Sequence, residues 1–242
     1  MLKDLIWLVM FVADLLFLRL AQFVKLIWLE WTAKTEEVRS YANQVAYQWG
    51  EKVVDTTGSE VKVLGSEKIP DQPVLFVANH QGAFDIPLLL GYIKHPKSFI
   101  AKWELRYLPV INLWMKKLSC IFIKRNDFRQ TLKAFKNAGQ VFKTGQSLVI
   151  FPEGTRSRSA KLNKFKRGSL KIALRESVPI VPVTINNSYQ INNGEEGLLS
   201  AAEVELIISD PIYVDKLSKE ERDDITLYVR EVIAKNLKSN EY

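Results

Sequence analysis

The segment from Pro73 to Asp85 constrains the fold more than any other. Val74-Leu75-Phe76-Val77-Ala78 is apolar at every position, the pattern of a buried strand. It ends in Asn79-His80-Gln81-Gly82-Ala83-Phe84-Asp85, and Ile86-Pro87-Leu88-Leu89-Leu90 then reads as the start of a helix. An open α/β sheet exposes its chemistry just beyond its strand ends, and that is where His80 falls. Five residues apart on one helix, His80 and Asp85 would diverge by about 140°. They meet only if His80 lies in the loop and Asp85 at the helix start. Pro87 in the first turn and the capping preference of Asp fit that arrangement. One imidazole nitrogen would then face a carboxylate, leaving the other free to act as a base. A single His near a strand end is often structural, so the rest of the chain decides.

From Pro73 onward, short apolar runs alternate with helical patterns. Strands are expected over 74–78, 98–101, 120–124, 148–151, 179–185 and 203–208. Helices are expected over 85–92, 104–117, 128–143, 168–176 and 218–237. Val61 and Val63 alternate with Glu60 and Lys62, as in a half-buried strand. This alternation predicts an α/β fold: a mixed, largely parallel sheet flanked by helices.

An apolar stretch, Leu5 to Leu29, precedes that domain, with charges only at Asp14, Arg19 and Lys25. It has the length of a membrane span but no small-residue cleavage site. On a helical projection Lys3, Asp14 and Lys25 fall within about 20° of one line, leaving a broad face of Leu, Ile, Phe and Val. With Trp7, Trp28 and Trp31 interleaved, the pattern is that of a helix lying in the membrane interface; the alternative is the core helix of a soluble bundle. A second amphipathic helix is expected from Lys34 to Val53. The chain thus divides into a two-helix membrane-binding motif, 1–57, and an α/β domain, 58–242.

Charge is unevenly spread. Between Glu153 and Arg175 eight basic residues face one acid, whereas the tail from Glu195 holds twelve acids and six bases. A basic patch beside an acidic tail suits an anionic ligand or surface, not a nucleic-acid coat. The single cysteine, Cys120, excludes an internal disulfide, fits a reducing compartment and sits in an apolar run as a core residue. With two His and one Cys, no cluster has zinc-ligand spacing, so no metal is expected.

The strand at 148–151 ends in Phe151-Pro152-Glu153-Gly154-Thr155-Arg156-Ser157. Polar residues again stand directly after an apolar strand, so Glu153 and Arg156 are expected on the same rim as His80. A turn with Gly154, the Thr155 hydroxyl and an adjacent Arg makes a phosphate cradle, and Arg125, just past strand 120–124, offers a second guanidinium. Taken one at a time, each Arg is only a surface charge.

Four motifs then stand together: His80-x-x-x-x-Asp85, Phe122-Ile123-x-Arg125, Phe151 to Ser157, and Val178-Pro179-Ile180-Val181-Pro182-Val183. Their order and spacing resemble those of the glycerolipid acyltransferase family, most closely its 1-acylglycerol-3-phosphate acyltransferases. Ser119, Lys124 and Asn112 depart from the family pattern, standing where Gly, Asp and Gly are usual. The resemblance implies that His80 takes the proton of a glycerol hydroxyl attacking an acyl thioester, while Asp85 fixes its tautomer. It implies substrate contacts from Asn79, Lys102, Arg125, Glu153, Gly154, Thr155 and Arg156, with Arg125 and Arg156 on the phosphate and Asn79 or nearby N–H groups serving the oxyanion. No cofactor is implied beyond the co-substrate, acyl-CoA or an acyl carrier protein thioester. The partners implied are lysophosphatidic acid and a phospholipid surface, with no nucleic acid, on the cytoplasmic face of the cell membrane. Rival readings are the same fold acylating glycerol 3-phosphate or another lysolipid, and a non-catalytic basic membrane-binding protein.

Overall fold

The computed structural model describes residues 2–124, 128–192 and 199–238. The N-terminal rod runs through α1 (Leu2–Ala13), a π-helical stretch (Asp14–Arg19) and α2 (Leu20–Thr32), and α3 (Thr35–Asp55) folds back along it. There follow β1 (Glu60–Leu64), β2 (Leu75–Ala78), α4 (Asp85–Tyr92), β3 (Lys97–Lys102), α5 (Ile111–Lys117), β4 (Ile121–Ile123), α6 (Phe128–Lys143) and β5 (Ser147–Ile150). The chain closes with α7 (Lys171–Glu176), β6 (Ile180–Asn186), β7 (Glu203–Ile208), α8 (Lys219–Asp223) and α9 (Ile225–Asn236). The strands form one sheet in the order β1-β7-β6-β2-β5-β3-β4. Among the named strands of the described residues only the β6–β7 pairing is antiparallel, so the expected mixed, largely parallel α/β sheet is present. Because β6, β2, β5, β3 and β4 all run the same way, their C-terminal ends share one edge.

Three expected helices are shorter or broken. The helix expected over 104–117 is interrupted at Pro109 and Val110, where φ of Val110 is 60° and Ile111 N–H donates to Pro109 O at 2.6 Å. That three-residue turn is strained for a β-branched residue. The helix at 168–176 starts only at Lys171, after Gly168 at φ 80°. The C-terminal helix divides at Asp224, and Ser218 caps α8 through a reciprocal bond with Glu221.

Alternate residues of β2 feed two hydrophobic layers, as strand geometry dictates. Phe76 and Ala78 join Val45, Val53, Leu88 and Leu206 on one face, whereas Leu75 and Val77 join Ala138, Leu170 and Val229 on the other. Helix α3 therefore shares a core with the sheet. It also touches α4 backbone to backbone: a Cβ added at Gly50 would lie 2.5 Å from Gly91 N and 2.6 Å from Pro87 O. Since α4 begins at Asp85, this contact helps to set the position of the candidate site.

The N-terminal rod turns Asp14, Arg19 and Gln22 inward. Arg19 is buried and donates to Asp14 at 2.9 Å and to Gln22 at 2.9 Å, while Lys52 of α3 reaches Asp14 at 2.6 Å. Trp114 Nε1 donates to Arg19 O at 3.1 Å. The side of the rod that carries Asp14, Arg19 and Gln22 is thus the docking seam to the body, and the apolar arc, including Met10, Phe17, Val24, Trp28 and Trp31, is left exposed.

At the opposite end of the sheet, Lys97 is buried. Its Nζ donates to Ile93 O and lies 5.1 Å from the Tyr47 ring centroid. Burial, aided by the charge of Lys94, pushes its ammonium down to about 7. An unfolded chain binds this proton up to about pH 10.4. As pH falls from that value to about 7, the unfolded state takes up a proton that the folded state refuses, so stability falls and then levels off. Lys97→Met is expected to remove this slope and to raise stability at pH 7, where the folded state no longer has to exclude a proton. Thermal unfolding across that pH range checks it; parallel curves for the two proteins would refute it.

Candidate active site

β2 delivers His80 to the C-terminal edge of the sheet, and α4 delivers Asp85. His80 Nδ1 lies 2.6 Å from Asp85 Oδ2. Asp85 is fully buried, and the His80 side chain is 11% exposed. The imidazole stacks on Phe151, the first residue after β5, with centroids 4.1 Å apart and planes 20° from parallel. Asp85 is the first residue of α4, with Phe84 as its cap, so the carboxylate folds back over the loop. There Oδ2 also accepts the N–H groups of Gln81 at 2.7 Å and Gly82 at 3.0 Å, and Oδ1 accepts the Ser188 hydroxyl. With Nδ1 held by this anchored carboxylate, Nε2 is the nitrogen available to take and return a proton.

The motif after β5 braces the loop. Glu153 Oε1 accepts His80 N–H at 2.7 Å and Oε2 accepts Asn163 N–H at 3.0 Å. Burial pushes the Glu153 carboxyl upward, and these two donors oppose that shift. Ser157 N–H and Arg158 N–H donate to the carbonyls of His80 and Gln81, at 2.8 and 3.1 Å. Gly154 turns the chain at φ 69°, and the Lys166 side chain passes over it so closely that a Cβ there would meet Nζ at 2.7 Å.

The residues expected from sequence do not all meet. His80, Asp85, Glu153, Gly154, Thr155 and Arg156 converge at one edge, with Thr155 and Arg156 exposed on the turn. Two of the expected substrate contacts are spent inside the protein instead. Asn79 donates to Ile185 O at 2.9 Å and accepts Ile185 N–H at 2.7 Å, splicing β2 to β6 beyond their last pair. Both carboxylate oxygens of Glu153 are engaged by backbone, so it holds the His80 loop rather than a glycerol. The N–H groups of residues 80, 81 and 82 are likewise committed to Glu153 and Asp85, which removes them as oxyanion donors. Lys102 ends β3, separated from β2 by β5, and pairs with Glu104 at 3.4 Å. Arg125 lies outside the described residues.

An apolar cavity of about 310 Å³ opens beside the dyad loop. Ala83 and Phe84 line it next to Asp85; Trp7, Phe11, Trp49 and Trp114 close it from the N-terminal rod, α3 and α5. Cys120 is in its wall, and the surroundings push that thiol up to about 12, well away from nucleophilic use. Ser188, Gln81 and this cavity have no role in the sequence reading, which places Phe151 in its motif without a role of its own; the position of Phe151 at a strand end is the one local signal.

Residues 60–186 match the family model described as Acyltransferase. A chloroplastic 1-acyl-sn-glycerol-3-phosphate acyltransferase of Brassica napus is 37% identical over 169 residues, 67% of this chain and 49% of that protein. The Borreliella burgdorferi 1-acyl-sn-glycerol-3-phosphate acyltransferase is 33% identical over 183 residues, 75% of this chain and 73% of its own length. The matched stretch thus spans about half the length of the plant relative and about three quarters of the bacterial one. Among solved structures, the 1-acyl-sn-glycerophosphate acyltransferase of Thermotoga maritima superposes with a TM-score of 0.86 at 31% identity, over 98% of this chain and 93% of that one. A family match over more than half the sequence, sustained in three dimensions along nearly its whole length, makes this chain a member of the acyltransferase family.

Proposed function

We propose that this protein transfers a fatty acyl group from a thioester donor to the sn-2 hydroxyl of 1-acylglycerol 3-phosphate, giving phosphatidic acid. The observation that carries the reading is the buried His80–Asp85 pair, 2.6 Å apart, set beside an apolar cavity. His80 Nε2 takes the hydroxyl proton as the oxygen attacks the thioester carbonyl. The carbon–sulfur bond then breaks, and the thiolate leaves with the proton from the imidazolium. Asp85 stabilises that transient cation. The cavity is of a size that holds small ligands and is lined almost wholly by apolar side chains, which suits an acyl chain. Names of the relatives supply the acceptor; the donor is acyl-CoA or an acyl carrier protein thioester.

The N-terminal rod gives the setting. Leu5–Thr32 is one helical stretch long and apolar enough to cross a membrane by length and composition. Its inward polar seam fixes it along the body, so the reading we favour has it lying in the cytoplasmic leaflet with its apolar arc in lipid. Residues 1–57 would then be the membrane-binding motif and 58–242 the catalytic domain, with α3 belonging to the core of both.

Thioester release and lipid product, measured with each donor against lysophosphatidic acid, glycerol 3-phosphate and neutral lysolipids, test the reading. Phosphatidic acid formed from lysophosphatidic acid in preference to the others is expected. Preferred acylation of another acceptor would reassign the substrate. No thioester release with any pair, while vesicles are still bound, would favour a non-catalytic membrane protein.

Arg156 is assigned to the acceptor phosphate, since it is exposed on the turn whose backbone bonds the His80 loop. Arg156→Lys keeps the charge but loses the two-pronged bond to phosphate. It is expected to raise the KM for the acceptor about tenfold, with the donor KM nearly unchanged. An unaltered acceptor KM would place the phosphate elsewhere.

A further inference from the structure

Asp85 is held by more than His80. Its Oδ2 meets the imidazole and two backbone N–H groups, and its Oδ1 accepts the hydroxyl of Ser188, a residue 103 positions further along the chain. Ser188 is itself held. Its N–H donates to Gln81 Oε1 at 3.1 Å, and its Oγ lies 3.3 Å from the same atom. Asn187, at φ 66°, turns the chain after β6 and so presents Ser188 to the loop; Asn is among the few residues that adopt this conformation readily. Ser188, Gln81 and Asp85 are all buried. The result is a closed ring: Gln81 side chain to Ser188, Ser188 hydroxyl to Asp85, and Asp85 back to Gln81 N–H.

We propose that Ser188 is a positioning residue for the acyl transfer, fixing the plane of the Asp85 carboxylate and through it the tautomer and aim of His80. Carboxylate torsions are soft, because the last side-chain angle of Asp is broad and nearly two-fold. A donor on Oδ1 keeps Oδ2 on the imidazole and stops the two oxygens from exchanging. The same hydroxyl draws negative charge toward Oδ1 and so moderates the hold of Asp85 on the imidazolium. Without it the imidazolium is held more strongly, and His80 keeps its proton to higher pH. The other charged groups facing the loop are Glu153, bonded to His80 N–H, and Arg156 and Arg158 on the turn that bonds the His80 and Gln81 carbonyls. A change at Ser188 alters none of them. The inference rests on His80 acting as the general base.

The test uses the full-length protein in detergent, as wild type, Ser188→Ala, Ser188→Thr and Ser188→Cys. Turnover is measured with both substrates across the range of the acid limb, and His80 is titrated by NMR on carbon-labelled histidine. The chain has two histidines. His95 is held down to about 4 by burial and the charge of Lys97, and a His95→Gln variant identifies the remaining resonance as that of His80. For Ser188→Ala, kcat is expected to fall about tenfold or more with both KM values nearly unchanged. The acid limb and the NMR titration should move upward together by about half to one pH unit. Ser188→Thr, which keeps the hydroxyl, is expected to restore both, and Ser188→Cys, a weaker donor, to fall between. A titration in Ser188→Ala identical to wild type, whatever happens to kcat, would overturn the proposal and leave Ser188 a packing residue. If Ser188→Ala does not fold, an unshifted Ser188→Cys overturns it equally. The NMR titration needs no turnover, so a wild-type protein that transferred no acyl group would fail the functional reading without deciding this one.

Discussion

His80→Ala is expected to lower acyl transfer by about 10²–10⁴-fold, the span of a well-placed general base, while the thermal midpoint moves by only a few degrees. The side chain lies on a loop against the Phe151 ring, outside both hydrophobic layers. Its removal leaves Asp85 with the Gln81, Gly82 and Ser188 donors. Asp85→Asn is expected to lose a comparable amount of activity and to unfold far more easily. The carboxylate is fully buried and accepts bonds on both oxygens, so an amide must turn its NH₂ either toward the backbone N–H groups or toward Ser188, whose hydroxyl must then reverse its role. Leaving buried polar groups mispaired costs about 1–3 kcal/mol each. The two variants therefore separate chemistry from scaffolding. Product formation is followed for both, with unfolding in the same detergent. Near-normal turnover by His80→Ala would end the general-base assignment; a normal midpoint for Asp85→Asn would show the donor network to be weaker than its distances imply.

Legibility in the sequence followed the range of the forces involved. β2 was readable because five consecutive apolar residues leave little else possible, and the polar residues stranded at the ends of β2 and β5 marked the active edge. The His80–Asp85 meeting followed from local geometry, a loop closing onto a helix start. What could not be read was set by partners distant in sequence. Ser188 looks like any Ser in Asn187-Ser188-Tyr189 until β6 is laid beside β2 and the loops meet. Asn79 and Glu153 carry the chemistry of substrate ligands, but parallel pairing puts Asn79 against Ile185 and Glu153 under the His80 loop, where unpaired backbone groups claim them first. The polar line of the first helix has the same explanation. Amphipathicity shows that one face differs from the other, yet Lys52 and Trp114 decide that the charged side faces the protein. The interruption of the helix expected over 104–117 has a local signal in Pro109, since proline disfavours helix in the residue before it, set against the helical spacing around it.

That inward seam changes how the proposed membrane attachment should be tested. Deleting the rod would strip Phe23 and Leu26 from the core and leave Asp14's partner Lys52 bare, confusing detachment with unfolding. The exposed arc can be charged instead. Met10, Phe17 and Val24 are 59%, 77% and 61% exposed, seven residues apart, and outside the Arg19–Asp14–Lys52 network. Burying side chains of this kind in an apolar medium is worth roughly 1.5–3 kcal/mol each. Replacing all three by Asp removes that gain and adds charges that resist leaving water and repel anionic lipid. Partition to anionic vesicles is expected to fall by on the order of 10³-fold or more, while the unfolding midpoint stays near wild type. Any residual binding, resting on the basic stretch from Arg156 to Arg175, should vanish at high salt because exposed charges are screened within a Debye length. Turnover on bilayer-embedded acceptor should fall with binding, whereas turnover on a short-chain, monomeric acceptor in solution should not. A folded triple variant that still sediments fully with vesicles at high salt would show that lipid is held by another surface, because neither the arc nor the basic stretch could then account for the attachment.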